Sequence, residues 1–225
     1  MNVSNMGAAI THWLGFQDKI GRDFMMNEDA LKYPLADYLV NAGNIDVGNI
    51  RLEHPHPNFS RIQVDLAIID NTTIKIDNIF ELKLAKLATR NTSEKQRIFD
   101  DLMRLYLASL ITTGKCYFII TGKTQEFETN FRMLGVSKTN KTNFYKKWFS
   151  FNSSKTVQTT TTFNVAIETD QNYQSIYQKF IIKYSKYKYQ GTTPLQLPNQ
   201  ITTTCEFVTA PSYDLPYMAG IWSIS

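Results

Sequence analysis

Two carboxylates and an ammonium group sit on short apolar runs in the first half of this chain. In Arg61-Ile-Gln-Val-Asp-Leu-Ala-Ile-Ile69 the aliphatic residues Ile62, Val64, Leu66 and Ile68 alternate with Gln63, Asp65 and Ala67. That period of two predicts a strand with Asp65 on the face opposite the aliphatic one. Fifteen residues separate Asp65 from Glu81-Leu82-Lys83. In Ile79-Phe-Glu-Leu-Lys-Leu84 the same period puts Glu81 and Lys83 on one face, and turns Phe80, Leu82 and Leu84 the other way into a core. Paired as a hairpin, the strands would let Asp65, Glu81 and Lys83 converge. Two neighbouring carboxylates repel and raise one another's proton affinity unless a cation relieves them. The trio therefore suits a hard divalent metal, Mg2+ or Mn2+, together with a phosphate. The competing account is an exposed hairpin face with a cross-strand ion pair.

The spacing of Asp65 and Glu81-Leu82-Lys83 resembles the core of the PD-(D/E)XK nuclease superfamily, in which an acid on one strand precedes a (D/E)XK triplet on the next. Family members often add an acid on a preceding helix, and a helix and a strand follow the triplet. Val64 stands where the proline of the name would be, a position commonly altered in the family. The match covers roughly residues 24–121. The resemblance implies a restriction-endonuclease-like α/β fold, with a mixed central sheet flanked by helices. It also implies that Asp65 and Glu81 hold a metal, with the carbonyl of Leu82 as an additional ligand. Lys83 would orient a water or neutralise the transition state, and its carboxylate neighbours favour the second role. Glu28 resembles the helical acid, with Asp29 and Asp37 as competitors and a plain helix-start acid as the alternative.

The positioning elements can be read from periodicity and caps. Residues 5–20 and 27–42 read as helices, the second capped by Asn27, complicated by Pro34 and closed by Gly43. Residues 44–58 read as a strand or loop leading into the hairpin. Ser93-Glu-Lys-Gln96 has the form of a capping box, although Gln96 could instead face the site. Ile98, Leu102, Leu105 and Leu110 then form an apolar helical stripe ending near Gly114. Cys116 to Thr121 reads as a strand buried on both faces and parallel to the one before the helix. Further helices are expected near 124–134, 142–150 and 171–186, with strands at 160–168 and 201–208. The segment from Pro211 to Ser225 gives no clear pattern.

Length and composition fit one elaborated domain spanning 1–225: a nuclease-like core over about 24–121, and a basic C-terminal α+β elaboration over about 122–225. No run is apolar enough for a membrane span, and the N-terminus lacks the pattern of a secretory signal. Cys116 and Cys205, the only cysteines, read as buried reduced thiols, so a cytoplasmic location is expected. Gly122-Lys123-Thr124 lacks the earlier glycine of a nucleotide-binding loop. His54 and His56, in an expected loop, read as ordinary surface residues without a zinc-binding context.

Charge is unevenly spread. Residues 1–110 hold 14 acids and 12 basic residues, whereas residues 111–225 hold 6 and 12. No acid falls between Glu128 and Glu168, where Arg132, Lys138, Lys141, Lys146, Lys147 and Lys155 lie. This suggests a surface for a polyanion, with Lys141, Lys146 and Lys147 on phosphates and Lys183 and Lys186 in a second aromatic-basic run. For each run alone the simpler account is an amphipathic helix that buries aromatics and keeps lysines in water. The resemblance thus leads to an expected metal-dependent DNA endonuclease in bacterial defence or DNA processing. The rival class is a non-catalytic nucleic-acid-binding or interaction protein that keeps the fold. Many family members cut duplexes as dimers, so a homodimer is compatible with this reading, although no dimer signature is legible.

Overall fold

The computed structural model describes residues 1–85, 92–131, 148–149, 159–165, 171–185, 197–209 and 216–225. In chain order these form α1 (Val3–Lys19), α2 (Lys32–Asn41), β1 (Ile50–Pro55), β2 (Gln63–Asp70), β3 (Lys75–Leu84), α3 (Thr92–Ser109), β4 (Cys116–Lys123) and α4 (Thr124–Phe131). Then come β5 (Thr159–Asn164), α5 (Gln171–Tyr184), β6 (Gln200–Val208) and β7 (Tyr217–Ile224). One seven-stranded mixed sheet has the order β1-β2-β3-β4-β7-β6-β5, with five helices packed against it. Among the described strands only β3 and β4 run parallel, joined through α3 as the sequence predicts; every other pairing is antiparallel.

Both faces of the sheet are buried. On one, Met6, Ile10 and Leu14 of α1 and Leu35 and Leu39 of α2 pack against Leu66, Ile68, Phe80, Leu82, Ile119 and Ile221. Gly7 lets α1 approach closely, because a Cβ there would lie 3.0 Å from the Phe207 ring. On the other face, Phe99, Leu102 and Leu105 of α3 and Phe180 and Tyr184 of α5 meet Ile79, Phe118, Ile120, Phe163 and Trp222. The central strand β4 contributes to both, as its unbroken apolar run requires.

Local chemistry explains the starts and ends. The Asn2 carboxamide accepts hydrogen bonds from the N–H groups of Ser4 and Asn5 and so caps α1. Asn27 accepts one from Ala30, as expected, but the expected 27–42 helix is divided into a 3-10 turn over Asp29–Leu31 and α2. Pro34 lies in the first turn of α2, where its missing N–H costs no helical bond. Leu110 leaves the expected stripe, since α3 ends at Ser109 and Leu110 is exposed.

The largest departure from the sequence reading is β7. Where no pattern was expected, Tyr217–Ile224 fills the sheet centre between β4 and β6. The stretch beyond residue 121 therefore continues the same sheet, and α1, ahead of residue 24, packs on β6 and β7. Alternation on β2 also breaks. Leu66 and Ile68 face α1 and α2, but Val64 joins the opposite core with Ala67 and Ile69. The expected helix over 142–150 lies almost wholly outside the described residues. No helix among the described residues is long and apolar enough to cross a membrane.

Candidate active site

The site is built where β2 parts from β3. Their pairing runs from Asp70 opposite Lys75 to Leu66 opposite Phe80. At the next position the Asp65 carboxylate takes the place of a strand: its Oδ2 accepts the backbone N–H of Leu82 at 2.7 Å. A residue in an extended strand turns its N–H and C=O to the same side, so the Leu82 carbonyl also points toward β2 and Asp65. Leu82 lies between Glu81 and Lys83, and this one hydrogen bond ties Asp65 to the triplet. Asp65, Glu81 and Lys83 lie near enough to act on one another's charge, on the sheet face covered by α3 and α5. It is not an exposed hairpin face, because Glu81 is 3 % and Lys83 7 % exposed.

Burial makes the electrostatics of the four central groups distinctive. The Glu81 carboxyl is held well above the usual carboxylate range, first by burial and then by the charges of Asp65 and Asp101. Its Oε1 has no hydrogen-bond donor against it. Asp65 is also raised by burial, opposed by its bond from Leu82 and by Lys83 and Lys32. Burial acts against the charge on Lys83, but Asp101, Glu28 and Glu81 outweigh it and hold the ammonium above the usual lysine range. Asp101 is the converse: burial is overcome by Lys83 and Arg104, which keep it ionised.

Glu28, just ahead of the 3-10 turn, lies 3.1 Å from Lys83 Nζ and 3.5 Å from Arg97. Of the three acids considered for the helical position, it is the one at the triplet. Asp29 contacts Lys32, and Asp37 accepts a bond from Asn41. Gln96 turns toward α5 rather than toward the triplet. Its amide donates to Asp100 and to the Ile176 carbonyl of α5.

Sequence reasoning missed several members of this cluster. Asp101 Oδ2 meets Lys83 Nζ at 2.8 Å, and its other oxygen is paired with Arg104. Arg104 in turn donates to the Tyr184 hydroxyl of α5 at 2.6 Å. Lys32, from α2, contacts Asp29, Glu53 and Asp65. For Asp101 a signal existed: it is three residues after Ile98 and four before Leu105, on the buried stripe of α3, where an acid needs a partner. Glu53 had none, since it owes its place to a left-handed backbone at φ 50° in β1.

Lys183, expected on phosphates, is 2.8 Å from Asp100 Oδ2 and lies over the Tyr184 ring. It joins α5 to α3. Burial of Phe180 and Tyr184 on α5 follows the amphipathic-helix account. Lys141, Lys146, Lys147 and Lys186 lie outside the described residues. His56 is not a surface residue: it is buried, with Nδ1 accepting from the Asn58 N–H and Nε2 3.0 Å from the Arg104 carbonyl. Both cysteines are buried and free.

Among the described residues no three His, Cys, Asp or Glu side chains gather closely enough to enclose a metal by themselves. The donor set at the triplet is thinner: two carboxylates and a backbone carbonyl. Magnesium is commonly held in this way, by one or two carboxylates with water and substrate phosphate completing its shell. The orphaned, buried Oε1 of Glu81, destabilised by the charge on Asp65, is an acceptor that such a cation would satisfy. The residues fit the group. Compared with protein-family models, curated proteins and solved structures, the chain matches none.

Proposed function

We propose that the protein is a metal-dependent nuclease of the PD-(D/E)XK type that hydrolyses phosphodiester bonds in DNA. The observation that carries this reading is the Asp65 carboxylate bound to the N–H of Leu82, which joins the lone acid to the Glu-Leu-Lys triplet at the parting of two strands. The order of elements supports it as well: Glu28, the β2–β3 hairpin, α3, and a parallel β4 follow the sequence of parts in that superfamily.

In this reading Asp65, Glu81 and the Leu82 carbonyl hold Mg2+ or Mn2+. The metal, when bound, supplies Lewis-acid polarisation of the phosphate and a water that ionises near neutral pH. Glu81 binds only after surrendering any proton that burial makes it retain, so site occupancy and pH are linked. Lys83 keeps its charge because Asp101 and Glu28 stabilise the ammonium. It therefore serves as a fixed positive charge toward a phosphate rather than as a base. Asp101 and Arg104 position it. The resemblance further suggests a role in bacterial defence or DNA processing.

The test is incubation of the purified chain with plasmid DNA, linear duplex, single strands and RNA, with Mg2+ or Mn2+ and with chelator. Metal-dependent cleavage lost in Glu81→Gln is the expected result. Absence of cleavage of every substrate, with nucleic-acid binding retained, would favour the non-catalytic class instead.

A further inference from the structure

Two buried ammonium groups stand at the site, and they are held differently. Lys83 is gripped by Asp101 and Glu28, at 2.8 and 3.1 Å. Neither of these is assigned to the metal, so Lys83 keeps both partners whether or not a cation is bound. Lys32, in the first turn of α2 and 5 % exposed, has a mixed set of partners. Its Nζ lies 3.0 Å from Asp29, against Glu53, and 3.6 Å from Asp65 Oδ1. In the proposed reading only Asp65 of that set holds the metal.

One carboxylate cannot serve an ammonium and a divalent cation at full strength together. Like charges drawn to the same oxygens repel, and more strongly where burial lowers the effective dielectric. Lys32 also has somewhere to go. Asp29 and Glu53 are 86 % and 47 % exposed at the side chain, so an ammonium that lets go of Asp65 stays paired and turns toward water. Glu53 is brought to this place by its left-handed backbone on β1, the strand paired with β2.

We infer that Lys32 is a built-in counter-ion of Asp65 which must release that carboxylate before a divalent cation binds, so that Lys32 sets the metal concentration at which the site fills. The inference rests on the metal reading of Asp65 and Glu81. In the metal-free protein Lys32 neutralises Asp65; in the loaded protein it rests on Asp29 and Glu53. A lysine that merely supports Asp65 would act in the opposite sense, since its loss would weaken metal binding.

The experiment is calorimetric titration of the full chain with Mn2+ at pH 8, for wild type, Lys32→Met and Lys32→Gln. Removing the competing charge is expected to tighten Mn2+ binding by about tenfold in either folded variant, on the scale of charge-pair effects at partly buried sites. Binding in wild type that is equal or tighter than in the variants overturns the inference alone. Binding in none of the three proteins removes the metal reading and this inference with it. Binding only in the variants supports a lysine that blocks the site. A second measurement needs no variant: amine acylation of Lys32, read by mass spectrometry, should speed up several-fold when Mn2+ is added to wild type. An unchanged acylation rate at saturating Mn2+ overturns the displacement.

Discussion

Lys83 of β3 and Asp101 of α3 meet at 2.8 Å inside the protein, each side chain less than a tenth exposed. Among the described residues the pair is the only salt bridge of the triplet lysine to an element on the far side of the β3–α3 crossover, and Arg104 shares the same carboxylate. Removing one partner of a buried pair leaves the others charged and unsolvated. Asp101→Asn should therefore cost about 3–5 kcal/mol of stability in urea unfolding. If the variant unfolds at the wild-type midpoint, Asp101 is not the anchor of Lys83 and Arg104.

Glu81→Gln separates stability from activity. It keeps the shape of a side chain whose Oε1 has no donor and removes a charge that Asp65 and Asp101 oppose. Cleavage should fall roughly 10²-fold or more, the scale on which one preorganised electrostatic group acts. The sign of the pH effect follows from the raised carboxyl. The ionised form is disfavoured in the folded state, so wild type should lose stability relative to the variant as pH rises above the ordinary glutamate value of 4.5. Mn2+ should restore wild type, by about 2.7 kcal/mol at a hundredfold excess over Kd, and leave the variant unmoved. Parallel thermal melts of the two proteins across pH, with and without metal, check each part.

His56 gives a separate acid transition. Burial lowers its pKa to about 4, and the charge of Arg104 acts in the same direction against the bond to the Arg104 carbonyl; Nδ1 meanwhile accepts from the Asn58 N–H. The folded value lies below the unfolded 6.5, so stability present above pH 6.5 is lost as pH falls toward 4 and changes no further below it. The loss across that window should reach about 3 kcal/mol. His56→Gln should abolish this slope in denaturation curves while leaving other acid transitions in place; an unchanged slope would assign it elsewhere.

The basic segment is tested through salt. Replacing Lys141, Lys146 and Lys147 by alanine should weaken binding across unrelated DNA sequences and flatten the log K against log salt slope, by on the order of one for each phosphate that is no longer neutralised. Lys183→Ala is the internal comparison. It breaks the link to Asp100 and should reduce stability more than affinity. A larger change in salt slope from Lys183 than from the other three would move the phosphate surface to α5.

Much of the sheet was legible because its strands alternate or run apolar: β2, β3, β4 and β6 fall where the pattern puts them. The triplet and its acid were legible for the same reason. What escaped notice depends on distance. Lys32 gains its partners only when α2 crosses the strands, and although the stripe of α3 marks Asp101 as an acid in need of a partner, a sequence holds no direct record of which residue that is. β7 was hidden by its own composition, for Gly220 interrupts it and looks like a breaker. The fold uses that glycine to seat Trp222, whose ring would lie 2.3 Å from a Cβ at Gly220.

The position of β7 bears on how the chain acquires its shape. Strands β1 to β4 carry Asp65, Glu81 and Lys83 and are made before β7, the strand that closes the edge of β4 and pairs with β6 on its other side. During synthesis that edge presents an open backbone ladder flanked by apolar side chains, a surface that invites pairing with other chains. Closure couples β7 to β4 through pairings of long sequence separation, which slow folding. A nascent chain would thus carry Asp65, Glu81 and Lys83 before β7 is made and the sheet around them is closed.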